Sequence, residues 1–165
     1  MTRGRLAILN KDSVFTSTEF NGDMYYDGYG ESAIKYLRTV DSIESLLKAV
    51  KDFNKENFNY PPEEVGIYSY DYPEEVGVYS HDYPLVFSEE TYYSDWGSDY
   101  IYIKNVSNEP QTIVTRKYRP KEDKNIPLEG FGEKVLQPGE IGIFFMGRYY
   151  GIVKNNGTTE FLKNS

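Results

Sequence analysis

DSIESLLKAVKDF, residues 41–53, is the stretch that decides between an all-β fold and a mixed one. Asp41 and Glu44 stand at the spacing of a capping box, so a helix is predicted to begin near Asp41. Residues 31–39 predict a shorter helix just before it. The apolar residues of the longer helix recur at helical spacing and form one stripe: Ile43, Leu46, Leu47, Val50 and Phe53.

Strand-like segments lie on both sides of these helices. Before them, residues 6–9 and 14–20 predict a β-hairpin, and residues 20–30 a loop that contains three glycines. After them, turn residues such as Asn155-Asn156-Gly157 separate short alternating segments. The sequence therefore predicts an α+β fold with a mainly antiparallel sheet: a hairpin, two helices and a C-terminal β-meander. The strands expected in the meander are residues 100–106, 111–118, 134–136, 141–146, 149–153 and 158–162.

The 165 residues fit a single domain with three parts. Residues 1–55 hold the hairpin and helices, residues 56–103 an acidic, Tyr-rich segment, and residues 104–165 the meander. The absence of Cys excludes disulfides and thiolate metal sites, and no apolar run is long enough to span a bilayer. Since the N-terminus also lacks the apolar region of a signal peptide, we expect a cytoplasmic protein. No cofactor or metal is expected, because the aspartates of the acidic segment do not match the calcium-loop spacing.

The acidic segment is the most unusual part of the chain. It contains eleven Asp and Glu and no Lys or Arg, whereas the whole chain has a net charge of −8. Because exposed aromatic side chains cost free energy, the interleaved tyrosines predict an ordered surface that holds carboxylates at fixed positions. Such a surface can imitate the phosphates of a nucleic acid, although a merely solvated acidic surface would have the same composition. The residues expected to bind a partner are Glu63, Glu64, Tyr70, Asp71, Tyr72, Glu74, Glu75, Asp82, Tyr83, Glu89, Glu90, Asp95 and Asp99.

A tandem duplication lies inside this segment. Residues 62–72 read PEEVGIYSYDY and residues 73–83 read PEEVGVYSHDY, so the copies differ at two positions. Each copy predicts a Pro-Glu-Glu turn followed by a short strand. Two copies of this length are too few for a solenoid. Two compatible explanations account for the duplication. Replication slippage can have lengthened a surface loop, and the extra copy can enlarge an acidic contact surface.

The start of the chain combines Thr2-Arg3-Gly4-Arg5-Leu6, the hairpin after them, and the loop FNGDMYYDGYG at 20–30. In this combination it resembles a group of small phage and prophage proteins. Those proteins open with a Thr-Arg-Ser-Arg motif and carry a Tyr-x-His-x-Asp-Gly-Tyr-Pro loop before a helix. The resemblance covers about 40 residues. It implies an origin in a mobile element and no particular activity, and this chain lacks the His and the Pro.

Three further patterns bear on chemistry. Thr2 becomes the first residue if Met1 is removed, and an N-terminal Thr can act as a nucleophile with its own amine as base. His81 is the only histidine, which excludes metal sites built on a His pair. Gly28-Tyr29-Gly30 before a helix resembles part of a dinucleotide-binding motif, but without a second βαβ unit it indicates a plain turn.

These observations support three hypotheses. In the first, the protein is a phage-type inhibitor whose acidic segment binds a host protein with a basic nucleic-acid-binding cleft, and it contacts neither nucleic acid nor membrane itself. The target class, a defence enzyme of the kind met by anti-CRISPR or anti-restriction proteins, is implied by the resemblance alone. The second hypothesis is an N-terminal-nucleophile hydrolase that uses Thr2. The third is a structural protein of a virion.

Overall fold

The computed structural model describes residues 2–11, 13–71, 85–88, 98–116, 132–146 and 148–162. Helix α1 spans Glu31–Leu37 and helix α2 spans Ile43–Asn57; a π-helical turn covers Tyr26–Gly30 and a 3-10 turn Pro62–Glu64. The strands are β1 (Arg3–Asn10), β2 (Ser13–Ser17), β3 (Phe20–Asn21), β4 (Ile67–Asp71), β5 (Leu85–Ser88), β6 (Tyr100–Asn105), β7 (Gln111–Arg116), β8 (Gly132–Leu136), β9 (Ile141–Phe145), β10 (Arg148–Val153) and β11 (Thr159–Phe161).

The larger sheet has the order β11-β10-β9-β6-β1-β2-β4, with β3 paired to β1. Every pairing in it is antiparallel except that of β1 with β6, which is parallel. A smaller sheet has the order β5-β7-β8, with a parallel and an antiparallel pairing. The predicted α+β class, with a mainly antiparallel sheet, is confirmed.

Among the described residues, the predicted meander is found in β9, β10 and β11, which pair in chain order. Strand β6 does not pair with β7 but lies between β1 and β9, and β7 and β8 belong to the smaller sheet. The reason is burial on both faces. All six residues of β6 and six consecutive residues of β1 are buried, so these strands must be central in the sheet and covered from both sides.

Side chains along the central strands point alternately to the two faces of the sheet, so the core has two parts. Leu6 and Ile8 of β1 face the helices, in a cluster that includes Phe53 and Tyr102. Ala7, Leu9 and their neighbours on β6 face the other side, where they pack with Ile113 and Leu136 of the smaller sheet. The larger sheet is therefore enclosed between the helices and the smaller sheet.

Helix α2 starts one residue later than the sequence predicts. Ser42, in extended conformation, is the N-cap: its Oγ accepts from the Ser45 N–H at 3.1 Å, and Ser45 Oγ accepts from the Ser42 N–H at 2.9 Å. The capping box is therefore Ser42 with Ser45 and not Asp41 with Glu44. Of the predicted stripe, Leu46, Val50 and Phe53 are buried, together with Ala49 and Asn54, whereas Ile43 is 45% exposed.

Candidate functional site

The first repeat copy begins with a tight turn that carries two of the predicted partner-binding carboxylates. We call residues 61–66 the acidic turn. The Glu64 N–H donates to the Pro61 carbonyl at 2.9 Å, and the Val65 N–H donates to the Pro62 carbonyl at 3.2 Å. Proline fits the first position of such a turn because its φ is fixed and no N–H is needed there. The predicted Pro-Glu-Glu turn is confirmed for this copy, and the strand after it spans Ile67–Asp71, two residues later than the pattern Val65-Gly66-Ile67-Tyr68 predicts.

Thr18 fixes the acidic turn to the sheet. Its N–H donates to the Gly66 carbonyl at 3.0 Å, while its Oγ1 accepts from the Gly66 N–H at 2.9 Å and donates to the Glu64 carbonyl at 3.1 Å. Val65, inside the turn, is buried in the helix-side core. The backbone that carries Glu63 and Glu64 is thus held at its C-terminal end, at residues 64–66.

Glu63 and Glu64 are exposed, and within the described ranges neither forms an ion pair. Their charge is therefore directed to solvent. Glu19, the residue after Thr18, is by contrast paired: its carboxylate lies 3.8 Å from the Arg3 guanidinium and 4.0 Å from that of Arg5.

Asp99, which the sequence assigns to the binding surface, lies in this internal network. Its Oδ2 accepts from the backbone N–H of Arg3 at 2.8 Å and from Arg3 Nε at 3.4 Å, and its side chain is only 14% exposed. The backbone carbonyl of Asp99 accepts from the Met146 N–H at 2.8 Å. Asp99 therefore connects the first residues of β1 to the start of β6, which is a role in the fold.

Two more of the predicted residues, Tyr70 and Asp71, belong to β4. This strand stands at one end of the larger sheet's described order, and it places Tyr70 opposite Val14 and Asp71 opposite Ser13 of β2. Tyr68 on the same strand is 50% exposed. The remaining predicted residues lie outside the described residues: Tyr72, Glu74, Glu75, Asp82, Tyr83, Glu89, Glu90 and Asp95.

An apolar groove adjoins the acidic turn. It has a volume of about 530 Å³ and runs between α2 and the β2–β4 pair, with Val65 and Gly66 of the turn in its wall. Ile43 and Leu47 of α2 form the opposite wall, and Lys51 is the one charged residue among the described residues that line it. Ile43, the first residue of α2, is exposed beside this groove.

Thr2, the candidate nucleophile, lies just before β1 and is half-buried. Its carbonyl accepts from the N–H groups of Gly22 at 3.1 Å and Met24 at 3.2 Å. These contacts attach the start of the chain to the loop before α1. They give Thr2 a structural role and supply no arrangement specific to acyl transfer.

Gly28 and Gly30 serve packing. A Cβ at Gly30 would overlap the Tyr102 hydroxyl, and a Cβ at Gly28 would overlap the Asp23 carbonyl. Both glycines permit the backbone around Tyr25 to fold against Tyr102. The interpretation of Gly28-Tyr29-Gly30 as a turn fits this arrangement.

No role was predicted for Lys104, the single charged residue of the apolar strand β6. Its Nζ donates to the Arg38 carbonyl at 2.8 Å and the Val40 carbonyl at 2.7 Å, so it binds the carbonyls that follow α1. Burial lowers the pKa of this amine, and the charge of Asp41 opposes that shift. The lone Lys in YIYIKN is the signal from which such a role could have been inferred.

Compared with known proteins, this chain matches no protein family, no curated protein and no solved structure. In the described part of the chain, no three Asp, Glu or His side chains come together in a group that could hold a metal ion. Of the helices among the described residues, none has both the length and the apolar composition needed to cross a membrane.

Proposed function

We propose that this protein is a phage-type acidic interaction protein that inhibits a host nucleic-acid-binding defence enzyme by occupying its basic cleft. The observation that carries the proposal is the acidic turn: two adjacent exposed carboxylates, unpaired within the described residues, on a backbone held by Thr18. The protein would act in the host cytoplasm. Its defence-related target class follows from the resemblance of the first 40 residues to phage proteins.

Carboxylates that project from an ordered backbone favour a binding function over a merely solvated acidic surface. A flexible carboxylate loses side-chain and backbone freedom when it binds, and that loss opposes association. Glu63 and Glu64 project from a backbone that is already ordered, so less freedom is lost. Lys and Arg groups that evolved to neutralise phosphates would meet two negative charges here on an ordered backbone.

The surroundings of the acidic turn supply apolar contact area. The groove shares Val65 and Gly66 with the turn, and the exposed Ile43 lies in its opposite wall. Stable interfaces combine a dehydrated apolar centre with a polar rim. In this arrangement the groove is the centre, and Glu63 and Glu64 belong to the rim.

The test is capture of a partner from host lysate followed by competition. The immobilised protein should retain a nucleic-acid-binding protein that duplex DNA or RNA releases. The double variant Glu63→Gln/Glu64→Gln keeps side-chain size. It should bind that partner at least about tenfold more weakly, because the partner's Lys and Arg side chains lose their counter-charges.

Glu109→Gln/Glu160→Gln is the matched control, because it removes the same net charge at two exposed glutamates elsewhere. Each of these lies 3.9 Å from a lysine, so their charges are already partly neutralised. The control should bind like the wild type. Equal loss in both variants would mean that only net charge acts. Retention of a partner that nucleic acid does not release would contradict the mimicry.

A further inference from the structure

A second concave site lies on the helix side of the sheet, away from the acidic turn. It is a cleft of about 270 Å³ between the π-helical turn and the β10–β11 pair. Five residues line it, four aromatic side chains and one carboxylate, and we call it the aromatic cleft: Tyr25, Tyr26, Asp27, Tyr150 and Phe161.

The rings of the cleft meet at steep angles. The Phe161 ring lies 4.8 Å from that of Tyr26, at 75°, and 5.6 Å from that of Tyr150, at 71°. Rings set nearly perpendicular form a corner, which presents π-surface in more than one direction, whereas parallel rings would stack and close the space. Tyr25 and Phe161 remain 40% and 42% exposed, so the cleft is open to a ligand.

The backbone below Tyr25 and Asp27 is fixed by the core. The Tyr102 hydroxyl donates to the Met24 carbonyl at 2.6 Å, and the Tyr25 carbonyl accepts from the N–H groups of Gly28 at 2.9 Å and Gly30 at 3.1 Å. Tyr150 is supported from behind by the buried Tyr100, at a ring distance of 5.8 Å. The walls of the cleft are therefore placed by the fold before any ligand arrives.

Asp27 gives the cleft a negative charge. Its side chain is exposed, and in the described part of the chain it has neither an ion-pair nor a hydrogen-bond partner. An unpaired carboxylate beside four electron-rich rings makes the cleft attractive to a cation and unattractive to an anion.

We propose that the aromatic cleft binds a quaternary ammonium group. Aromatic faces attract such a cation through their quadrupoles, and Asp27 supplies the counter-charge. A primary ammonium would have three N–H groups to satisfy after dehydration, whereas a trimethylammonium has none and presents methyl groups to the rings. This proposal is independent of the acidic turn and of its partner.

The test compares choline with its neutral isostere 3,3-dimethylbutan-1-ol, in which a carbon replaces the charged nitrogen. Both are titrated into the whole protein and followed through the NMR signals of the Tyr and Phe rings and of the Asp27 amide. Choline should shift the cleft signals and bind about tenfold more tightly than the neutral compound. Equal binding of the two would reduce the cleft to an apolar pocket and overturn the proposal, as would the absence of binding by either.

Variants test whether choline binds in the aromatic cleft or at any exposed aromatic side chain. Tyr25→Leu should weaken choline binding about tenfold, while Tyr68→Leu, at an exposed tyrosine on β4, should leave it unchanged. Asp27→Asn should weaken choline and leave the neutral isostere unaffected. Unchanged choline binding by both Tyr25→Leu and Asp27→Asn, in proteins with wild-type circular dichroism, would place the site elsewhere.

The source of the ammonium group is decided by two further titrants. A short peptide containing trimethyllysine, paired with the same unmethylated peptide, represents a modified protein tail. Phosphocholine represents a free metabolite or lipid headgroup. Tighter binding of the methylated peptide than of phosphocholine would assign the site to a protein, and the reverse order to the small molecule.

Discussion

Tyr102 connects the sheet, the loop before α1 and α1 itself. Its ring is fully buried, its hydroxyl donates to the Met24 carbonyl, and its contact with Gly30 leaves no room for a side chain there. Burial raises the pKa of this hydroxyl well above its usual value. Tyr102, which holds the loop at residues 20–30 in place, thus lies on β6, more than 70 residues away in sequence.

Gly30→Ala should therefore destabilise the protein by about 1–3 kcal/mol, because the added methyl meets the Tyr102 hydroxyl in a packed interior. Gly66→Ala is the matched change, since a Cβ there contacts nothing within 4 Å. That variant should lie within about 0.5 kcal/mol of the wild type. Urea denaturation measures both, and equal effects at the two glycines would contradict the packing at Tyr102.

Tyr100 predicts a specific dependence of stability on pH. Burial, together with Tyr150 and Asp99, raises its pKa to about 12, whereas an unfolded tyrosine titrates near 10. The folded state thus holds the proton more tightly than the unfolded state. The resulting stabilisation is complete below pH 10 and is lost as the pH rises toward 12, by roughly 2–3 kcal/mol in total.

Tyr100→Phe keeps the ring and removes the ionisation, so its free energy of unfolding should fall less steeply than that of the wild type between pH 10 and 12. Lys104, whose pKa is lowered, contributes in the opposite direction, but it is present in both proteins and cancels in the comparison. Urea unfolding at several alkaline pH values measures the two slopes. Parallel curves would show that Tyr100 titrates normally.

At the scale of elements, the capping box of Ser42 and Ser45 stabilises the start of α2. Ser42→Ala removes the side-chain acceptor for the Ser45 N–H and should cost about 1 kcal/mol. Glu44→Gln removes only a favourable charge in the first turn and should cost a few tenths of a kcal/mol. Thermal unfolding of the two variants distinguishes the observed capping box from one centred on Asp41 and Glu44, which would reverse the order.

The duplication makes a second prediction at this scale. The first copy supplies β4, which pairs with β2 over five residues, and the second copy lies outside the described residues. Deleting residues 73–83 joins Tyr72 to Pro84 and should leave a cooperatively folding protein, because the cut falls between equivalent positions.

Deleting residues 62–72 is the matched experiment, since the second copy then takes the place of the first. Val78 would replace Ile67 and His81 would replace Tyr70 in the pairing with β2. The two deletion variants should have similar midpoints in urea, because Ile-to-Val changes cost about 1 kcal/mol. Loss of cooperative unfolding in both would show that the fold requires both copies.

At the scale of the whole molecule, we expect binding of the captured partner to depend on salt concentration. If the acidic turn binds a basic cleft, affinity should fall steeply between low and moderate salt, as screening shortens the reach of exposed charges. Glu63→Gln/Glu64→Gln should reduce this salt dependence, and Glu109→Gln/Glu160→Gln should not. Isothermal titration at several salt concentrations measures the slopes; affinity that is independent of salt would exclude an electrostatic interface.

The sequence by itself determined the elements whose signal is local. The α+β class, the hairpin of β1 and β2, helix α2 and the Pro-Glu-Glu turn follow from periodicity, turn residues and proline geometry within a few neighbouring residues. Exposure of Glu63 and Glu64 was predictable for the same reason. The one-residue error at the start of α2 arose because Asp41, Ser42, Glu44 and Ser45 all suit a helix start, and local sequence does not rank them.

Only the tertiary structure decided how these elements combine. The parallel pairing of β1 with β6 joins residues almost 100 positions apart, and it separates β6 from β7, its neighbour in sequence. The same pairing brings Asp99 to Arg3, which neutralises a carboxylate that sequence assigned to the binding surface. The aromatic cleft likewise combines residues 25–27 with residues 150 and 161. Such contacts are set by burial on both faces of a central strand, and burial is a property of the assembled core.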